Sequence, residues 1–371
     1  MAMRKQPAVR FIADVHVGNH RAHGGDEVAG INARCAKVLT ALRDAAAMCA
    51  PDDVLVILGD LFDSPRPSPQ VIARTMAALP RANRVIALLG NHDRRSDAPG
   101  DHALAPLALL PNVEVVEQPT ALEAWVGGPW LACVPYLPSQ DADGIAAAAE
   151  SLRPDLPAHA PVALCLHAGL WDDAMPKWAK AARNAISHGA ADAAARAIGA
   201  RLTVSGDWHD HRVYEHCDAA GVATKVVQFG ALCPTGWDNP GLNGYGSVLS
   251  WYGDGAEVYR HEVPGPRFIK ADAAALSKLP ADADLYVRAT ALDGEEAARA
   301  AANPRGFTAL EVRRVDLDPK AAAARAAKAA RSTDTLDAAL AAYCAELELP
   351  DGLDGDRVAD CARGYIARAE E

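Results

Sequence analysis

The chain places Asp, Asn and His where short apolar runs stop. Val9-Arg10-Phe11-Ile12-Ala13 passes into Asp14-Val15-His16, and Val54 to Leu58 into Gly59-Asp60-Leu61-Phe62-Asp63. Val85 to Leu89 ends in Gly90-Asn91-His92-Asp93, and Val162 to Leu166 in His167. Leu202 to Val204 leads to Gly206-Asp207-Trp208-His209-Asp210-His211. An ordinary turn accounts for any one of these, because Gly and Asn tolerate positive φ and polar residues suit a surface. A series of five, each at a strand's carboxyl end, is not explained by turns. That edge is where α/β sheets build their sites.

The residue types narrow the chemistry. Carboxylate, imidazole and amide oxygen without thiolate suit a first-row divalent ion such as Mn²⁺, Fe²⁺ or Zn²⁺. Asp14, His16, Asp60, Asn91, His167, His209 and His211 are too many ligands for one ion and suit two that share a bridging carboxylate. Such a pair, roughly 3.5–4 Å apart, clamps a phosphate and generates hydroxide for in-line attack. His92 is then an imidazole beside a ligand but not needed as one. It is free to protonate a leaving oxygen or to stabilise the transition state.

The elements that must carry these residues alternate. Between the early strand-like runs lie segments of helical spacing, Ala33 to Cys49 and Pro69 to Leu79, which predicts an α/β domain with a helix-covered sheet. Lys225 to Phe229 and Ser247 to Tyr252, set among glycines, read as hairpin strands. At Val263-Pro264-Gly265-Pro266 the pattern resets, with strand candidates at Leu285 to Thr290 and Ala309 to Val315 before alanine-rich helices. The expected division is a domain over 1–265 and a smaller one over 266–371, without internal repeats.

Composition excludes some classes. A formal net charge of −11 over 371 residues argues against gripping nucleic acid by global positive charge. The eight cysteines form no CxxC pair, and Cys133 and Cys165 sit inside apolar runs as buried small hydrophobes. The N-terminus shows no secretory h-region and no run approaches a membrane span, so a cytoplasmic, reducing setting without a membrane partner is expected.

In order, Asp-x-His, Gly-Asp-x-x-Asp, Gly-Asn-His-Asp, a lone His and a His-x-His make the chain resemble the calcineurin-like metallophosphoesterases. The resemblance implies an α/β fold, a four-layer α/β/β/α sandwich with a small C-terminal α+β capping domain, and a dinuclear centre. Carried over by position, Asp14, His16, Asp60 and His211 would hold the first ion, and Asp60 would bridge to a second held with Asn91, His167 and His209. His92 would be the catalytic imidazole, oriented by Asp63. The last motif departs from Gly-His-x-His: Trp208 precedes the first His, and Asp207 or Asp210 would be outer partners of the ligands.

Within the family, "GDLFDSPRPSP" (59–69) resembles the SbcD-type DNA nucleases, and "EVPGPRF" (262–268) resembles the entry to their capping domain. The Arg-Gly that phosphoprotein phosphatases place after Gly-Asp-x-x-Asp is absent. The resemblance implies a Mn²⁺-dependent DNA nuclease, with Fe²⁺ or Zn²⁺ as alternatives. It also implies an SbcC-like ATPase partner docked through C-terminal helices, and a homodimer formed through helices of the phosphoesterase domain. The competing readings are a small-molecule phosphodiesterase or phosphatase, slightly favoured by the acidic charge, and a non-catalytic scaffold, disfavoured because every ligand position is filled. In the loop 230–246, Trp237 and Tyr245 are offered either for base stacking or, for Trp237, as core. A basic face from Lys320 to Arg331 is either a phosphate contact or a solvated helix face, and the amphipathic stretch 334–348 either docks the ATPase or packs on the cap.

Overall fold

The computed structural model describes residues 6–79, 83–138, 141–175, 180, 182, 184–217, 220–237, 246–279, 285–292 and 307–314. The two basic and amphipathic C-terminal segments expected as helices, and Tyr245, lie outside the described residues. Two six-stranded sheets dominate. In chain order their strands are β1 (Val9–Ile12), β2 (Val54–Ile57), β3 (Arg84–Leu88), β4 (Val113–Val116), β5 (Thr120–Glu123) and β6 (Trp130–Val134). They continue as β7 (Val162–His167), β8 (Leu202–Gly206), β9 (Arg212–Cys217), β10 (Ala223–Gln228), β11 (Gly246–Trp251) and β12 (Tyr259–Val263). The first sheet runs β12-β11-β1-β2-β3-β4 and the second β9-β10-β8-β7-β6-β5.

Strands β1 to β4 pair in parallel, as do β6, β7, β8 and β10. Parallel pairing aligns their carboxyl ends, so the polar residues that follow β1, β2 and β3 share one edge of the first sheet. Those ending β7 and following β8 share the matching edge of the second. The two expected hairpin strands are found as such, β10 antiparallel to β9 and β11 antiparallel to β12.

Strand alternation makes the layers. From β1, β2 and β3, Val9, Phe11, Val54, Val56, Ile86 and Leu88 meet Leu131, Cys133, Ala163, Cys165, Leu202 and Val204 of the second sheet in one buried cluster. The opposite set on the first sheet, including Ile12, Leu55 and Ile57, packs under helices α1 (Ala33–Ala47) and α2 (Pro69–Ala78). On the second, Val134, Leu164, Leu166 and Val226 pack under α3 (Ala142–Ser151) and α4 (His188–Ala197). This is the expected α/β/β/α sandwich. Each helix has a side-chain cap: Asn32, Ser68, Asp141 and Ser187 accept from Cys35, Val71, Gly144 and Ala190 N–H respectively. In "RPSP", Ser68 and Pro69 are thus the cap and first residue of α2, an entry with a structural reason of its own.

Beyond Pro266 comes a small sheet of β13 (Arg267–Ala271), β14 (Leu285–Leu292) and β15 (Ala309–Arg314), with β13 parallel to β14. The chain divides into two compact units, Met1–Thr290 with Ala298–Val312, and Ala291–Ala297 with Arg313–Glu371. Residues 267–290 therefore belong to the first unit. The second is represented among the described residues only by strand ends. Among the described residues, no helix is long and apolar enough to cross a membrane.

Candidate metal centre

Four residues at the shared edge have left-handed backbone that L side chains rarely adopt: Asp14 (φ 48°), His16 (50°), Asp60 (51°) and Asp207 (93°). Each such conformation costs about 1–3 kcal/mol and persists only where the surroundings fix it. Here main-chain bonds between the loops fix it. Asp14 N–H donates to Gly59 O (3.2 Å), His16 N–H to Asp60 O (3.0 Å) and Val17 N–H to Leu61 O (2.8 Å). Asp207 N–H spans the two sheets to reach both Asp14 oxygens, at 2.9 and 3.1 Å.

Two glycines make the approach possible. At Gly59, with φ of 93°, a Cβ would strike the His167 ring, and at Gly90 one would strike the Asp60 carboxylate and main-chain nitrogen. Asp93, fully buried, holds the same two loops by accepting from Leu61 N–H (3.3 Å), Phe62 N–H (2.9 Å) and Gly90 N–H (3.1 Å). Burial, with the Asp60 charge behind it, pushes the Asp93 carboxyl up to about 7. The last residue of Gly-Asn-His-Asp is thus a brace between loops.

The side chains so placed form overlapping groups. Asp14, His16 and His209 bring one ligand atom each within 4.8 Å of one another, as do Asp14, Asp60 and His167, and His16, Asp63 and His92. Asp60 sits between, Oδ2 3.8 Å from His16 Nε2 and Oδ1 3.5 Å from His167 Nε2, as a bridging carboxylate would. Second bonds orient the imidazoles. His167 Nδ1–H donates to Leu58 O at 2.7 Å, and His209 Nδ1–H to Thr235 Oγ1 at 3.0 Å, which turns both Nε2 atoms inward. Arg34 on α1 donates to Thr235 O at 2.7 Å and so steadies that support.

The donor set fits cations. His16 Nε2 and His209 Nε2 lie 3.0 Å apart, and burial first of all lowers these imidazoles to about 3 and about 4, so that both are neutral lone-pair donors near pH 7. The Asn91 amide tip lies 2.9 Å from His167 Nε2 and 3.2 Å from both Asp207 Oδ1 and Asp60 Oδ2; turned one way its N–H donates to the two carboxylates, and turned the other its oxygen joins them as a third donor to a cation. Acceptors about 3 Å apart are the edges of an octahedron around an ion with bonds of about 2.1 Å. Burial pushes Asp14 well above the carboxylate range. It would do the same to Asp60, but His167 and His16 hold that carboxyl low instead. Burial also works against a charged His167, yet Asp60, Asp207 and Asp14 together carry it up to about 10. The pocket favours positive charge at this point.

Three placements differ from the positional carry-over. His209, expected with Asn91 and His167, lies with Asp14 and His16. His211, expected in their place, donates Nδ1–H to Phe229 O at 2.9 Å and joins none of the ligand groups found among the described residues. The position beside Asn91 and His167 is filled by Asp207, because β8 pairs Gly206 with His167 and its next residue arrives at that level. Reading the motif two residues earlier, as Gly206-Asp207-x-His209, was the available signal. Asp63 also differs: its carboxylate lies 3.6 Å from His16 Nδ1 and 3.5 Å from His20 Nδ1. It is the Asp63 main-chain carbonyl that His92 Nδ1 meets, at 3.1 Å. His92 itself is exposed, its N–H donating to Asp60 Oδ1 at 2.9 Å and its ring edge-on to His16. Trp208 lies against Gly169, whose missing side chain makes room for the indole. Trp237 is core: it is buried with Phe268 and Tyr286 and donates Nε1–H to Tyr286 O at 3.1 Å.

Residues 8–211, more than half the chain, match the calcineurin-like phosphoesterase family. The chain belongs to that family. Solved structures similar to this calcineurin-like phosphoesterase include a 5'-nucleotidase precursor from Thermus thermophilus, at 14% identity and TM-score 0.41, covering 70% of this chain and 55% of that one. A metallophosphoesterase from Sphaerobacter thermophilus matches at 14% identity and TM-score 0.35, covering 70% and 89%. A putative 5'-nucleotidase from Staphylococcus aureus matches at 13% and 0.41, covering 70% and 54%. The chain thus spans little more than half the length of the two nucleotidases. Members of the family typically bind two divalent metal ions, and the His/Asp groups at this edge are candidate ligands.

Proposed function

We propose that this calcineurin-like phosphoesterase is a nuclease of the SbcD type, hydrolysing DNA phosphodiesters with a pair of divalent ions, Mn²⁺ first among them. The observation that carries the reaction class is His92, exposed, anchored at Nδ1 and set against the convergent ligand groups. When bound, the ion pair supplies an activated water and neutralises charge on the phosphoryl group. Asp14, His16 and His209 would hold one ion, and Asp60, Asn91 and His167 the other, with Asp60 shared. His92, its Nδ1–H held on Asp63 O, keeps Nε2 for the substrate; in the doubly protonated form it would pass the Nε2 proton to the departing sugar oxygen and be left as the neutral Nδ1–H imidazole. For DNA the support is the 59–69 stretch and the basic residues beside His92. Arg66 is exposed, and Arg95 donates Nε–H to Pro65 O at 3.2 Å and pairs with Asp101 at 3.1 Å, a surface ion pair that a phosphate would exchange for its own contact. The same reading gives the C-terminal segment the task of docking an SbcC-like ATPase, and places the protein in the cytoplasm.

A small phosphodiester as substrate is the second reading, favoured by the net charge of −11. Digestion of linear duplex and single-stranded DNA in Mn²⁺, with EDTA and His92→Ala as controls, decides between them. We expect cleavage that EDTA abolishes and that His92→Ala lowers by about 10²–10⁴-fold with metal content unchanged. Undiminished cleavage by His92→Ala would overturn the role given to His92. Intact DNA alongside rapid hydrolysis of a chromogenic diester would move the substrate to a small molecule.

A further inference from the structure

Asp207 is the feature of this edge that the family pattern does not supply. We infer that Asp207 is a direct ligand of the second ion, giving that ion a site of two carboxylates, one amide oxygen and one imidazole, while His211 takes no part. The inference rests on the dinuclear reading above and says which atoms complete it.

Three observations carry it. First, Asp207 Oδ1 lies 3.2 Å from Asn91 Oδ1 and 3.7 Å from His167 Nε2, and Asn91 Oδ1 is in turn 3.2 Å from Asp60 Oδ2. Without metal, the Asn91 amide turned about satisfies both carboxylates through its N–H; with its oxygen inward the same three side chains present acceptors to one point, the arrangement a shared cation would hold. Second, the backbone is committed to that placement. Asp207 has φ of 93° and its N–H is spent on Asp14, so the side chain is aimed by a bond between sheets and not by a mobile loop. Third, the two sheets contribute alike. Asp14-Val15-His16 follows β1 and Asp207-Trp208-His209 follows β8, and the two histidines meet at 3.0 Å. Each Asp-x-His sends its His to the first group. Asp207 stands outside the three-residue groups but beside His167 and Asn91, and Asp14 belongs to two of the groups.

The consequence is a choice of metal. Exchanging an imidazole for a carboxylate adds charge and hardness, which suits Mn²⁺ or Mg²⁺ relative to Zn²⁺. The test uses the full chain stripped of metal and titrated separately with Mn²⁺ and Zn²⁺. Bound metal is counted by elemental analysis and spin coupling of a Mn²⁺ pair is read by electron paramagnetic resonance, for wild type, Asp207→Asn, Asp207→His and His211→Ala. Circular dichroism checks that each variant folds; the main-chain bond to Asp14 does not depend on the side chain.

We expect two coupled Mn²⁺ in wild type and in His211→Ala. Asp207→Asn should bind the second Mn²⁺ at least tenfold more weakly and lose the coupled signal. Asp207→His should keep two metals but shift the second site's preference toward Zn²⁺ by tenfold or more. Two coupled Mn²⁺ at unchanged affinity in Asp207→Asn would overturn the assignment, as would loss of an ion in His211→Ala. Failure of the wild type to bind two ions would instead overturn the dinuclear reading itself, so the two failures are distinguishable.

Discussion

Asp93 shows how one side chain can serve a site without touching its chemistry. Its carboxylate accepts three main-chain N–H groups, two from the loop that carries Asp60 and one from the loop that carries Asn91 and His92. Removing it leaves buried donors unsatisfied, at about 1–3 kcal/mol for each that finds no water. Asp93→Ala should therefore unfold at lower denaturant than wild type and bind metal poorly. Asp93→Asn, which keeps one acceptor oxygen but sets its NH2 against a buried N–H on the other side, should fall between the two. Equal denaturation midpoints for Asp93→Ala and wild type would show that the brace is not needed. The same scale bears on Asp63, which the family resemblance placed at His92: the residue is there, but whether its carboxylate or its carbonyl makes the contact depends on a backbone path that a shared motif does not specify.

At the scale of elements, the strand ends opposite the site are tied by charge. Arg10 on β1 donates Nε–H to Asp53 at 2.8 Å, and its Nη1 meets Ser250 on β11, which in turn lies 2.8 Å from His261 on β12. Asp53 also accepts from Ala8 N–H at 2.8 Å and from Ala50 N–H at 3.0 Å at the start of β2. Both charges are buried, so taking away one partner strands the other. Asp53→Ala should destabilise the first sheet by about 3–5 kcal/mol, read from equilibrium denaturation. A loss under 1 kcal/mol would mean that water replaces the carboxylate. Much of this level was legible in sequence. The apolar runs give β1, β2, β3, β4, β6, β7 and β8 to within a residue or two, and helices α1 and α2 nearly as well. Less legible were α3 and α4, short alanine-rich segments whose buried faces are mostly small side chains and whose starts are set by the Asp141 and Ser187 caps and by packing on the second sheet. Strands β9 and β12, with half their residues turned to solvent, carry little apolar signal and exist through pairing with β10 and β11.

For the whole molecule, the site opposes the fold that builds it. Four positive-φ residues and several closely set carboxylates raise the energy of the native state, and bound cations would offset that cost. A ligand that binds only the folded state adds about 2.7 kcal/mol at a hundredfold excess over its dissociation constant. Saturating Mn²⁺ should raise the melting temperature of the full chain by several degrees, and EDTA should reverse it. Identical melting with and without Mn²⁺ would count against a built metal site.

What the sequence by itself determined was the inventory and its edge: which strands exist, that they end in Asp, Asn and His, and that such donors suit paired divalent ions. Those are local properties, because strand periodicity and side-chain chemistry need no knowledge of distant chain. Tertiary structure alone decided which donor meets which. The spacing His209-x-His211 is a legitimate ligand pair, yet the register of β8 on β7 brings Asp207 to His167, and the approach of one sheet to the other brings His209 to His16. Trp237 was likewise undecided until β13 and β14 supplied Phe268 and Tyr286 to cover it. Contacts between residues some two hundred positions apart are fixed by how two sheets pack, and sheet packing is a property of the assembled core.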